Sequence, residues 1–140
     1  MIRQLLIAAG LMALCVVIHV LGVSYAIRWL REAGARVQGF WRGAWLFICL
    51  AAWMILLHLV EIAAWALCYV RADAMPDLPS ALYFSAVTYT TTGYGDLVLP
   101  ADWRLVGAVE ALTGILMCGL STGVFFAVMT RMFRVERQPG

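Results

Sequence analysis

Six consecutive residues, Thr91-Thr92-Gly93-Tyr94-Gly95-Asp96, carry the most specific chemistry in the chain. In an extended strand of L-residues, successive carbonyls point to opposite sides. Turning them all to one side needs positive φ at alternate positions, which Gly93 and Gly95 tolerate. Thr91 adds a hydroxyl at one end of the row. The product is a line of oxygens suited to a partly dehydrated cation. One line offers too few ligands for an ion, so several copies must surround an axis, and this points to a symmetric oligomer of the chain with itself.

The rest of the sequence says where such a line must sit. The chain has 140 residues, 64% hydrophobic and 13% charged, with a mean hydropathy of +0.90 and a net charge of +2. A soluble domain is nearer half apolar and a quarter charged. A globule this small cannot hide so much apolar surface from water. These values exclude a soluble enzyme, a disordered tail and a nucleic-acid binder, and leave an integral membrane protein. Three apolar runs, at about 5–27, 44–70 and 105–129, are long enough to cross a bilayer, which takes about 20 residues. The first is too long for the apolar part of a cleaved signal and lacks a small-residue cleavage site.

Between the second and third runs, residues 71–104 change character. They hold every aspartate (Asp73, Asp77, Asp96, Asp102) and Pro76, Pro79 and Pro100. Their middle is an apolar stretch of about half the length of a span, which suggests a re-entrant segment. Asp77 before Leu78-Pro79-Ser80 is placed to cap a helix with proline in its first turn. The spacing predicts a helix over 79–90. Its C-terminal end, carrying partial negative charge, would face the cation row.

This stretch resembles the selectivity filter of potassium channels, the type case of four loops sharing ion sites. The motif follows a half-helix and lies between two spanning runs. The resemblance covers 44–131, and the chain as a whole resembles small prokaryotic ion channels with a leading third helix. It implies an all-α membrane fold: three transmembrane helices, a re-entrant pore helix and a filter loop, assembled as a homotetrameric pore. It divides the chain into an extra helix with a cytoplasmic interfacial segment (1–43), the pore domain (44–131) and a short cytoplasmic tail (132–140). It implies passive potassium conduction, with a weakly selective cation pore or a non-conducting assembly subunit as alternatives. Potassium, the permeant ion, would be held by Thr91, Thr92, Gly93 and Tyr94, with Gly95 completing the filter. No other cofactor, no enzymatic activity and no soluble regulatory domain is expected.

The same resemblance assigns filter support to Asp96 and Tyr83 and a gating hinge to Gly114, where close helix packing is the alternative; Glu110, with Thr88 near it, reads from its place in a span as a hydrogen-bond support behind the pore helix. Departures from the family pattern are visible. Thr92 stands where valine or isoleucine is frequent. Tyr83 and Phe84 stand where many members have two tryptophans, which weakens the cuff around Tyr94. Val87 replaces a buried glutamate that would pair with Asp96.

Further expectations come from the residues themselves. Glu61 and Glu110 lie within spans and should be paired or protonated; Thr88 or Tyr89 are the expected partners of Glu110. His58 and Glu61, three apart, can share a face. His19 reads as an isolated buried polar residue. Cys15, Cys49, Cys68 and Cys118 read as small buried hydrophobes. Gly119 and Gly123 read as helix-packing positions, and Ile115, Cys118, Thr122 and Phe126 as a stripe lining the cavity or facing lipid. Residues 28–43, with Arg28, Arg31, Arg36 and Arg42 among aromatics, read as a segment lying in the membrane interface. Counting them with Arg131, Arg134 and Arg137 gives seven arginines on one side, against Arg3, Arg71 and Arg104 on the other. That predicts a cell-membrane protein with its N-terminus outside and its C-terminus cytoplasmic. No voltage-sensing series of arginines is evident.

Overall fold

The structure, a computed structural model, describes residues 2–34 and 39–135, with side chains described through residue 130 apart from those of residues 33 and 34. Every regular element among them is helical. Three helices are long and apolar enough to cross a membrane: α1 (Ile2–Gly34), α2 (Phe40–Arg71) and α4 (Arg104–Val135). A short helix, α3 (Leu78–Tyr89), lies between α2 and α4, and a 3-10 turn at Ala101–Trp103 leads into α4.

The start of α3 follows from local chemistry. Asp77 has an extended backbone, and its carboxylate accepts the Ser80 backbone N–H at 2.8 Å and lies 3.2 Å from the Ser80 hydroxyl. Pro79 occupies the first turn, where its missing N–H costs no intrahelical bond. α2 stops one loop earlier at Arg71; just beyond it Asp73, with a φ of 52°, leaves the helical path while the Ala74 N–H returns to the Tyr69 carbonyl at 2.9 Å.

Among the described residues, the interfacial segment forms no separate element. α1 continues to Gly34 and α2 begins at Phe40, so Arg28, Arg31 and Arg42 ride on extensions of the two spanning helices; Arg36 lies outside the described residues. Extending a helix already nucleated adds one bond per residue fixed, and long arginine side chains reach polar headgroups from a helix end. Phe40 and Trp41 are exposed at the start of α2.

α2 packs on α3, and α3 on α4. α1 lies against both α2 and α4. Gly22 lets it approach α2 closely: a Cβ there would stand 2.4 Å from the Leu57 side chain. The Trp53 indole N–H donates to the Gly22 carbonyl at 3.0 Å. Two apolar clusters form. One gathers Trp65, Tyr69, Tyr89, Trp103 and Met117, and the other Ala26, Leu50, Met54 and Leu57. Of the cysteines, Cys15 is buried and Cys49 and Cys68 are half-buried, but Cys118 is exposed, because its face of α4 meets none of the other helices.

Candidate functional site: the loop after α3

α3 ends at Tyr89, and residues 91–98 continue as an exposed strand without regular structure. Positive φ occurs at Thr91 (60°), Gly93 (58°) and Gly95 (77°), whereas Thr92 and Tyr94 lie outside that region. The hand of the backbone therefore alternates over five residues. Sequence reasoning assigned this to the two glycines and missed Thr91. A β-branched residue in the left-handed region is a genuine outlier, costing about 1–2 kcal/mol. Counting back by two from Gly93 was the available signal.

Backbone bonds at the helix end hold the strained start. The Thr91 N–H donates to the Thr88 carbonyl at 2.9 Å, and the N–H groups of Thr92 and Gly93 both reach the Val87 carbonyl, at 2.9 and 3.2 Å. The Thr92 hydroxyl lies 2.9 Å from that of Thr90, which itself bonds the Ala86 carbonyl at 2.8 Å. The Thr92 side chain is thereby turned back on the end of α3. Tyr94 is 72% exposed.

Asp96, without a glutamate at position 87, has a different partner. The Tyr83 hydroxyl donates to its carboxylate at 2.8 Å. This bond, first, holds the Tyr83 phenol above its ordinary pKa of 10.0. Within the chain, the Tyr83 hydroxyl proton is thus committed to Asp96.

Behind the loop, two carboxylates grip α3, and here the expected pairings change. Buried Glu110 accepts the Tyr69 hydroxyl at 2.7 Å and the Ser85 hydroxyl, not Thr88 or Tyr89. The reason is register. α3 buries Ala81, Ser85 and Tyr89, four apart, and α4 runs beside it so that Glu110 meets Ser85 while Gly114 meets Tyr89. The Tyr89 hydroxyl donates to the other intramembrane carboxylate, Glu61. Ser85, Tyr69 and Glu61 were not foreseen as supports; the signal was that a carboxylate within a span needs donors, and tyrosine or serine on a facing helix supplies them. His19 is not isolated: its Nδ1 lies 3.0 Å from Glu61. His58 Nδ1 lies 3.7 Å from the same carboxylate.

Gly114 is a point of close approach. A Cβ there would stand 1.9 Å from the Tyr89 carbonyl oxygen, and α4 passes through it unbroken. Gly119 and Gly123 make no close packing contact within the chain. Nothing lies within 4 Å of a Cβ at either, since they share α4's outward side with Ile115, Cys118, Thr122 and Phe126, all exposed.

Residues 44–131 match a protein family described as "Ion channel". The chain is 35% identical over 63 residues to the potassium voltage-gated channel protein shk-1 of Caenorhabditis elegans, covering 44% of this chain and 12% of that protein. It is 30% identical over 70 residues to the potassium voltage-gated channel protein Shal of Drosophila melanogaster, covering 49% of this chain and 12% of that protein. No solved structure matches the chain.

Proposed function

The chain belongs to the ion-channel family, and from that premise we propose that it is the subunit of a homotetrameric, potassium-selective pore. The observation that carries this reading is the alternating backbone at Thr91, Gly93 and Gly95, set directly beyond the C-terminal end of a half-length helix. Four such strands around an axis would present the carbonyls of Thr91, Thr92, Gly93 and Tyr94, and the Thr91 hydroxyl, in place of an ion's hydration shell. The partial negative charge at the end of α3 favours a cation in the water-filled space behind the strand. Conduction is passive and needs no cofactor beyond the permeant ion. Residues 44–131 form the pore, and α1 is an accessory helix outside it.

The three spanning helices make this a multi-pass membrane protein. The arginine asymmetry supports an outward N-terminus and filter and a cytoplasmic C-terminus. An Ala101→Cys variant in intact cells should react with an impermeant thiol reagent applied from outside.

One observation favours a second reading, a weakly selective cation pore. The Tyr83 hydroxyl proton is engaged by Asp96 within its own chain, which leaves it unavailable as a donor to a Tyr94 of a neighbouring chain. Ion flux from potassium-loaded liposomes decides between the two. Potassium and rubidium should pass far faster than sodium. Equal sodium flux would establish the weakly selective pore, and no flux of any cation from an intact assembly would remove both readings.

A further inference from the structure

All four helices contribute to a polar layer between the two apolar clusters. α1 gives His19, α2 gives His58 and Glu61, α3 gives Tyr89 and α4 gives Ser121. His19, Glu61, Tyr89 and Ser121 are buried, and His58 keeps a partly exposed edge. Five contacts close a ring: Glu61 to His19 Nδ1 (3.0 Å), His19 Nε2 to Ser121 Oγ (3.2 Å), Ser121 Oγ to His58 Nε2 (3.1 Å), His58 Nδ1 to the Tyr89 hydroxyl (3.2 Å), and that hydroxyl to Glu61.

Each contact needs one proton. With neutral imidazoles and an ionised carboxylate, His19, His58, Ser121 and Tyr89 own one each, which leaves the ring short by one. One further positive charge beside the Glu61 carboxylate, a proton or a metal ion, would balance the ring. The Ser121 hydroxyl indicates where that charge belongs. Its oxygen lies between both Nε2 atoms, and its own proton has a further acceptor in the Met54 sulfur at 3.8 Å. When Ser121 donates to Met54, both Nε2 atoms must be N–H donors to its two lone pairs. With both imidazoles neutral, His19 Nδ1 then turns a lone pair to one Glu61 oxygen at 3.0 Å, and His58 Nδ1 turns one toward the Tyr89 hydroxyl at 3.2 Å and the other Glu61 oxygen at 3.7 Å.

We propose that His19 Nδ1, His58 Nδ1 and a Glu61 carboxylate oxygen bind a divalent transition metal of the zinc class. Two imidazoles and one glutamate are a known zinc ligand set, with water or another oxygen in the fourth place. One ligand atom each from His19, His58 and Glu61 lies within 4.8 Å of the other two, and the two Nδ1 atoms approach opposite oxygens of the carboxylate. Ligands of one tetrahedral zinc are about 3.4 Å apart, so binding would draw the three groups together and His58 Nδ1 would give up its contact with the Tyr89 hydroxyl. Ser121 supplies the outer support that metal-bound histidines require on their second nitrogen. Nickel, iron and cobalt suit the same donors. Occupancy would tie α1 to the end of α3, since Tyr89 touches both Glu61 and, through its carbonyl, the backbone at Gly114.

The test uses the whole assembled protein with any histidine tag removed, so that His19 and His58 are the histidines present. Protein stripped with a chelator is dialysed against zinc chloride, and bound metal is counted by elemental analysis. About one zinc per chain should be retained, and cobalt(II) should give the strong visible bands of a tetrahedral nitrogen–oxygen site. The His19→Gln/His58→Gln double variant should lose both signals. Ser121→Ala should weaken zinc affinity about 10–100-fold. Folded wild-type protein that retains no zinc and shows no cobalt bands overturns the proposal. So does a double variant that keeps the full stoichiometry. If the double variant fails to assemble, the wild-type cobalt spectrum decides. Neither readout involves ion flux, so the result is separable from the potassium reading.

Discussion

The back of α3 and the strand that follows it are held in opposite ways. Behind the helix, Glu110 takes hydroxyls from Tyr69 and Ser85, Glu61 takes one from Tyr89, and Gly114 brings α4 onto the Tyr89 carbonyl. Nearly every polar atom there finds its partner inside the chain. The strand depends instead on three backbone bonds and the Thr90–Thr92 hydroxyl contact at its base, one side-chain bond at its outer end and the left-handed tolerance of two glycines. Beyond that it is exposed, as is the outward face of α4. In the proposed tetramer, four-fold assembly would cover the strand without altering the scaffold behind α3.

The contrast breaks first where the scaffold has no room. Gly114→Ala would place a methyl 1.9 Å from the Tyr89 carbonyl oxygen, and overpacking of this kind costs about 1–3 kcal/mol or more per chain. Gly119→Ala meets nothing within 4 Å in its own chain. Thermal dissociation of the assembly in detergent should fall sharply for Gly114→Ala and stay near wild type for Gly119→Ala. Equal behaviour of the two would mean that the close approach at Gly114 is not what seats α3.

The strand should fail differently, in function before stability. Gly95→Ala forces a Cβ into a φ of 77°, at about 1–2 kcal/mol per chain and several kcal/mol over four independent chains. We expect an assembled protein without selective potassium flux, read from the reversal potential with potassium opposite sodium. Unchanged selectivity in an intact Gly95→Ala tetramer would show that the carbonyl row is not the filter.

A smaller effect separates the two carboxylates. In Glu110→Gln, the amide oxygen accepts one hydroxyl, and Ser85 keeps the Ile62 carbonyl at 2.9 Å as an alternative acceptor. The loss should be about 1–2 kcal/mol per chain, seen as a modest drop in dissociation temperature with potassium selectivity retained. Zinc retention should be untouched in Glu110→Gln and abolished in Glu61→Gln. If Glu110→Gln also loses zinc, the two carboxylates form one coupled unit.

The spans, the half-length helix and its aspartate cap were legible because each has a local signature: an apolar run of bilayer length, or Asp77 and Pro79 at fixed positions. The glycines of the loop were legible for the same reason. What the sequence hid was register between helices. That Glu110 meets Ser85, and that His19 reaches Glu61 across 42 positions, depends on how α1, α3 and α4 slide against α2, which no local pattern records. Thr91 was hidden for another reason. Its propensity argues against positive φ, and the surrounding backbone bonds override it. The exposure of Gly119 and Gly123 likewise depends on which face of α4 the other helices use.

The smallest expected effect lies where the strand borrows a single side chain from the helix, at Tyr83 and Asp96. The bond needs a protonated phenol, and it is itself the first reason that the Tyr83 pKa lies above 10.0. A group whose folded pKa is raised contributes its stabilisation fully below the unfolded value and loses it as pH rises through the folded one. The Tyr83–Asp96 bond should therefore hold across neutral and mildly alkaline pH and release only above about pH 10. Tyr83→Phe removes the donor at every pH while leaving the backbone of Gly93 and Gly95 in place. Potassium-over-sodium selectivity should survive in Tyr83→Phe, and current through single assemblies should become less sustained because the outer end of the strand is released. Raising the external pH above 10 should bring wild-type current to the same behaviour and leave Tyr83→Phe unchanged. An alkaline response of equal size in Tyr83→Phe would place the titrating group elsewhere and leave Asp96 without a functional dependence on the helix.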